Sequence, residues 1–233
     1  MGSTRLPGKV LMDLGGESVL ACVVRRLRRA GLIDEIVVAT TTSAADNAIV
    51  SECERFSVAV FRGQENDVLD RYYHAARWMN AAAIVRITSD CPFIDAEITD
   101  NTIRAFIKCK PDYASNAIQR TYPRGLDTEV ISCDALTRAW QEARFSYQRA
   151  HVTPYIYENP NRFRIVPVTG DVDYSDLRWT LDTPEDLAFI RAIYQRMDNV
   201  DRFSWRDVLS CLEREPQLGE LNRQVRQKAL HEG

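Results

Sequence analysis

An α/β fold, with an open sheet flanked by helices, is the class that this 233-residue sequence predicts. Two observations carry that expectation. Short β-branched runs alternate with longer segments of helical periodicity through the first 110 residues. Acidic residues fall just past the ends of two apolar runs, where open α/β sheets place their ligands. The alternation breaks over residues 111–150 and resumes afterwards.

Taken in order, Ser18 is placed to cap a helix running through Val19, Val23, Val24 and Leu27, with Gly31 as its stop. The pairs Arg25-Arg26 and Arg28-Arg29 read as the solvated face of that helix. Residues 35–40 form a β-branched run expected as a buried parallel strand. Residues 44–56 read as helix, 58–61 as strand and 67–79 as helix. The next strand, 82–88, delivers Asp90 just past its carboxyl end, and Asp95 begins a helix to about residue 108. Beyond the break, strands are expected at 128–132, 162–169 and 177–181, and a short helix at 133–143. Thr183-Pro184-Glu185 opens a further helix with a cap, a first-turn proline and an early acid. From Phe203 the chain reads as helical, ending in a polar tail from about residue 215. The expected organisation is a domain over 1–200, containing an insertion at 111–150, and a helical appendage over 201–233.

Composition excludes several classes. With 45% hydrophobic and 27% charged residues the chain reads as an ordinary globule. A net charge of −3 and a pI near 5.7 argue against a general nucleic-acid binder. No apolar stretch is long enough to span a bilayer and no signal peptide is evident, so no membrane insertion is expected. The six cysteines form no C-x-x-C pair, and the three histidines, at 74, 151 and 231, have no zinc spacing. A reducing, cytoplasmic setting is the expectation. Cys91, beside Asp90, reads as a small apolar filler.

The chemistry is concentrated at the start. Met1-Gly2-Ser3-Thr4-Arg5-Leu6-Pro7-Gly8-Lys9 combines small residues with two cations, a composition suited to wrapping phosphate. It is not a Walker loop, because five residues separate Gly2 from Gly8 and Val10 has no hydroxyl for a metal. Asp90 and Asp182, each at an expected strand end, suit magnesium, which takes one or two carboxylates beside phosphates and waters. Alone, Asp182 also reads as a helix cap, Asp90 as a turn residue and the loop as a basic terminus.

Five further motifs follow that loop in order. They are Thr88-Ser89-Asp90-Cys91-Pro92, Gly125-Leu126-Asp127-Thr128-Glu129, His151-Val152-Thr153-Pro154-Tyr155 and Leu181-Asp182-Thr183-Pro184-Glu185-Asp186-Leu187, preceded by Leu14-Gly15-Gly16. Together they resemble the cytidylyltransferase-like family of spore coat polysaccharide biosynthesis protein F, over roughly residues 1–197. The resemblance implies a three-layer α/β/α, Rossmann-like, nucleotide-diphospho-sugar-transferase-like fold with a mixed sheet. It implies a magnesium-dependent nucleotidyltransferase that couples CTP to a sugar and releases pyrophosphate in surface polysaccharide biosynthesis. The family's relatives activate acidic nonulosonic sugars, among them sialic, legionaminic, pseudaminic and ketodeoxyoctonic acids.

By the same resemblance, Arg5, Lys9, Asp90 and Asp182 are the catalytic set, with Asp90 and Asp182 holding the metal. Gly2, Ser3, Thr4, Arg5 and Lys9 hold the triphosphate, and Gly63, Asp67, Arg71 and Ser89 lie near the nucleotide. A glycine at 63 would let the base approach the backbone; a loop and a capped helix with structural Asp67, Asp70 and Arg71 is the other reading. Asp127, Glu129, Arg149 and His151 face the sugar, and residues 111–150 cover that site and are compatible with a homodimer. Two departures stand out. The family's apolar first strand, ending in Gln-Ala-Arg, is absent, so Met1 corresponds to an internal methionine and neighbouring strand edges are expected to be unpaired. Ala150 replaces the glutamate common between Arg149 and His151. A glycosyltransferase using Asp171-Val172-Asp173 and a shortened, non-catalytic remnant are the alternative readings.

Overall fold

Local capping chemistry starts most of the helices in this computed structural model, which describes residues 1–3, 5–198 and 202–228. Thr4, the expected 200/201 domain boundary and His231 lie outside the described residues. A hairpin of β1 (Asp13–Leu14) and β2 (Glu17–Ser18) turns over Gly15-Gly16, whose φ angles of 64° and 90° are those a two-residue hairpin loop demands. Ser18 then caps α1 (Val19–Leu27) by accepting from Ala21 N at 3.0 Å. Helix α2 (Asn47–Arg55) follows a 3₁₀ turn, and α3 (Val68–Trp78) and α4 (Ala96–Cys109) start on Asp67 and Asp95 side chains. Three short helices, α5 (Cys133–Glu142), α6 (Ser146–His151) and α7 (Pro154–Tyr157), fill the middle. Helix α8 (Pro184–Arg196) opens on a reciprocal Thr183–Asp186 capping box, and α9 (Trp205–Arg214) on the equivalent Ser204–Asp207 pair.

The strands form two larger groups. Parallel β3 (Val37–Thr41) and β4 (Ala59–Gly63) pair in register from Val37–Ala59 to Thr41–Gly63. A mixed sheet of β5 (Ala83–Arg86), β6 (Tyr113–Ser115), β7 (Glu129–Ser132) and β8 (Ile165–Pro167) has the order β5-β7-β6-β8. Only β6 and β8 run parallel within it. Among the described residues, β3 pairs with β4 alone and β5 with β7 alone, so each keeps one edge without ladder bonds. Helices cover both faces: α1 and α2 pack on β3/β4 through Leu20, Val24, Ile49 and Cys53, while α3, α5 and α7 close over Tyr113 and Ile131. A third core joins Phe93, Trp179, Phe189 and Tyr194 to Trp205, Val208 and Leu218 of the C-terminal segment.

Several expectations are corrected. Residues 177–181 are not a strand; they make one isolated bridge, Arg124 to Arg178. Their backbone is divided between two partners, with Trp179 N donating to Arg124 O and Leu181 N to Asp90 O. Strand β6 was not anticipated, because three residues acquire strand identity only from their neighbours β7 and β8. Helix α1 stops at Leu27, short of Gly31. Arg26 is not solvated: it is fully buried, donates to the Ile94 and Phe203 carbonyls and stacks on the Phe203 ring. The polar tail from 215 contains a 3₁₀ turn (Pro216–Leu221), with Leu218 and Asn222 buried.

Candidate active site

Gly8, left-handed at φ 70°, turns the N-terminal loop into a single 3₁₀ turn that starts with Lys9. That turn directs the Lys9 ammonium between two carboxylates. Nζ lies 2.5 Å from Asp90 Oδ2 and 2.8 Å from Asp182 Oδ1, although the three residues are far apart in sequence. Arg5 Nη2 approaches the other oxygen of Asp182 at 3.1 Å. Burial alone would lower the Lys9 pKa; Asp90 and Asp182 outweigh it and hold the ammonium above its usual range. Burial likewise pushes Asp182 up, but Lys9, Arg178 and Arg5 bring it below the ordinary carboxylate value.

Asp182 is held from behind. Arg178 donates Nη2 to Asp182 Oδ2 at 2.7 Å and grips fully buried Asp186 with Nε and Nη2, both at 3.0 Å. Asp186 also accepts from the backbone N of Asp182 and Thr183, and Asn222 ties Arg178 O to Asp186 Oδ1. Sequence reasoning missed Arg178 and Asp186 as support. Their spacing of four residues on either side of Asp182, with Asp186 at the third position of a capped helix, was the available signal. Asp90 is fixed through its backbone, its carbonyl accepting from Leu181 N and the Thr180 hydroxyl. The Cys91 thiol beside it is buried and pushed well above its usual pKa, as suits a packing residue.

Gly2 and Ser3 belong to the loop, where Ser3 Oγ accepts from Leu6 N at 3.3 Å. Ser89 is exposed next to Asp90. At the end of β4, a Cβ on Gly63 would lie 2.9 Å from Arg71 Cγ, so the observed close approach is by the Arg71 side chain. Arg71 Nη1 donates to the Gln64 and Glu65 carbonyls, Nε has no partner among the described residues, and burial lowers its pKa. Asp70 has its own partners, Trp140 Nε1 at 2.8 Å and His74 Nε2 at 3.4 Å.

Asp67 and Arg149, assigned from sequence to nucleotide and sugar respectively, are bonded to each other. Arg149 Nε lies 2.6 Å from Asp67 Oδ2, and Nη1 donates to Trp140 O. Glu129 is buried, with Arg86 on Oε2 and Tyr113 and Thr153 hydroxyls on Oε1. Burial works against the Arg86 cation, but Glu129 keeps it charged. Thr153 reaches Glu129 through a γ-turn of the rare hand at Val152, φ 73° and ψ −56°, closed by Thr153 N to His151 O at 2.9 Å. His151 therefore ends α6 immediately before a strained turn. Asp127 is paired with both terminal nitrogens of Arg120. Gly125, at φ 107°, is required there: a Cβ would sit 2.7 Å from the Trp179 backbone carbon. This close approach brings the 124–127 loop alongside Arg178 and Asp182.

The donor set fits a hard divalent cation. Two carboxylates converge on one positive group, the Lys9 ammonium, which marks where cationic charge is favoured. Among the described residues no cluster of three or more His, Cys, Asp or Glu side chains could hold a metal ion alone. Magnesium needs no more than two protein carboxylates when phosphates and waters supply the rest. No helix among the described residues is long and apolar enough to cross a membrane.

Comparison with known proteins gives a consistent answer. The sequence profile described as Cytidylyltransferase matches residues 1–205. An uncharacterized protein of Methanocaldococcus jannaschii is 40% identical over 235 residues, covering 99% of this chain and 94% of that protein. The spore coat polysaccharide biosynthesis protein SpsF of Bacillus subtilis is 34% identical over 226 residues, covering 93% and 92%. A solved structure of a cytidylyltransferase from Leptospira borgpetersenii superposes with a TM-score of 0.90 at 32% identity, covering 98% of this chain and 95% of that one.

Proposed function

The chain belongs to the cytidylyltransferase family, and from that premise we propose that it transfers CMP from CTP to an acidic nonulosonic-type sugar in surface polysaccharide biosynthesis. The observation that carries this reading is the Lys9 ammonium shared by Asp90 and Asp182. It joins a phosphate-suited loop to a metal-suited carboxylate pair.

In the proposed reaction, an acceptor hydroxyl oxygen bonds to the α-phosphorus of CTP. The bond from that phosphorus to pyrophosphate breaks, and the hydroxyl proton leaves to solvent or a nearby base. Asp90 and Asp182 would hold Mg2+, which when bound compensates triphosphate charge and stabilises the charge of the transition state. Arg5 and Lys9 bind triphosphate oxygens, and Lys9 stabilises charge building on the leaving pyrophosphate. Arg178 and Asp186 keep the Asp182 carboxylate in one orientation. Asp127, in the loop beside Asp182, faces the acceptor. Glu129 and Arg149 shape that side through their bonds to Arg86 and Asp67.

Pyrophosphate release tests the reading. With CTP, Mg2+ and a panel of nonulosonic acids, release is expected only when all three components are present, with one equivalent of CMP-sugar formed per pyrophosphate. Release from CTP that is independent of every sugar, or transfer from a nucleotide-sugar instead, would contradict it.

A further inference from the structure

We propose that Arg124 receives the acidic group of the acceptor sugar, an assignment that rests on the reading of the chain as a sugar cytidylyltransferase. Arg124 stands apart from the neighbouring cations. Arg120 is committed to Asp127, Arg149 to Asp67, and Arg178 to Asp182 and Asp186. The Arg124 guanidinium makes no hydrogen bond or ion pair among the described residues, while its backbone is fixed at both ends: Arg124 N donates to Leu177 O at 2.9 Å, and Trp179 N donates to Arg124 O at 2.7 Å.

The isolated bridge between Arg124 and Arg178 supplies the direction. Bridged residues project their side chains to the same face, within reach of each other. Since Arg178 reaches Asp182 at 2.7 Å, Arg124 is directed toward the same side as the candidate metal carboxylate. It is half-buried there; burial, Arg120 and Arg178 act against its charge and outweigh Asp127 and Asp182, which act for it without bonding to it. A guanidinium that is partly desolvated and bonded to no carboxylate of its own chain has its donor fork completed by an anion from outside the chain.

The triphosphate already has Arg5 and Lys9, which approach Asp182 from the N-terminal loop. Arg124 comes from the opposite segment, three residues from Asp127, on the acceptor side. A carboxylate on the acceptor would meet the planar guanidinium fork with two parallel hydrogen bonds. The residue would thus select acidic over neutral acceptors and take no part in the phosphoryl chemistry.

The test uses the full chain and two sugar acids, 3-deoxy-manno-octulosonate and N-acetylneuraminate, each beside its neutral methyl ester. Binding to the CTP-loaded enzyme and transfer are measured for wild type, Arg124→Ala and Arg124→Lys, with CTP affinity and unfolding midpoint recorded separately. Wild type is expected to prefer acid to ester. Arg124→Ala should raise the KM for the acid by about 10–100-fold, the size of a lost charge-assisted hydrogen-bond pair, and erase the preference. Arg124→Lys should restore it in part, with CTP affinity and folding unchanged throughout. An alanine variant that keeps the acid preference overturns the inference, as does one that loses CTP affinity instead. Wild type that binds none of the acids, or accepts esters equally well, also overturns it. Failure to bind CTP at all would strike the functional reading itself, and the separate titration makes that failure recognisable.

Discussion

Asp182→Asn should lower turnover by on the order of 10²–10³-fold or more, a loss typical of removing one preorganised electrostatic partner from a reaction centre. The substitution keeps the shape of the side chain but only one acceptor oxygen, so either the Lys9 contact on one side or the Arg178 and Arg5 contacts on the other can be kept, not both. What disappears is the negative charge that, with Asp90, collects Lys9, Arg5 and Arg178 around one point. The fold should survive, because the backbone of Asp182 remains tied to Asp186, and Leu181 to Asp90. Circular dichroism and the unfolding midpoint check that half of the prediction, and steady-state kinetics at saturating CTP check the other. Activity equal to wild type would remove Asp182 from the metal site.

Lys9→Ala is expected to depress turnover by about 10²-fold, again the scale of one lost charge-stabilising group, while costing less than about 2 kcal/mol of stability, or roughly 4–8 °C. Asp182 would retain Arg5 and Arg178, and Asp90 is partly open to water. The pH dependence separates the two effects. Lys9 has a folded-state pKa above its ordinary 10.5. Its contribution to stability is therefore complete below that value and is lost as pH rises through the raised one. Wild type should lose this increment under alkaline conditions, and the alanine variant, having none to lose, should give a flatter alkaline limb in thermal unfolding. A large fall in midpoint with near-normal turnover in the surviving protein would make Lys9 a structural cation.

The parts of this molecule that were legible in the sequence are those fixed by local chemistry. Ser18, Asp67, Asp95 and Thr183 cap their own helices through nearby backbone N–H groups, so those starts could be read from residue type and position. From sequence, Lys9 is assigned to a triphosphate and Asp90 and Asp182 to a metal; their direct ion pairing with one another is seen only in the folded chain. What escaped depends on tertiary partners. Tyr113-Ala114-Ser115 becomes a strand because β7 and β8 flank it. The 177–181 segment looks like a strand but shares its backbone between Arg124 and Asp90. Nothing local reveals that Arg149 grips Asp67, 82 positions away, or that Asn222 reaches back to Asp186.

Thermal unfolding with Mg2+ and each of CTP, UTP, GTP and ATP tests the central claim most directly, that the Lys9–Asp90–Asp182 cluster is a cytidine nucleotide site. A ligand at about 100 times its Kd stabilises the native state by roughly 2.7 kcal/mol, enough to resolve in the midpoint. The account predicts a rise selective for CTP, dependent on Mg2+ and lost in Asp182→Asn. A single clean transition indifferent to all four nucleotides, or an equal rise in wild type and Asp182→Asn, would contradict it.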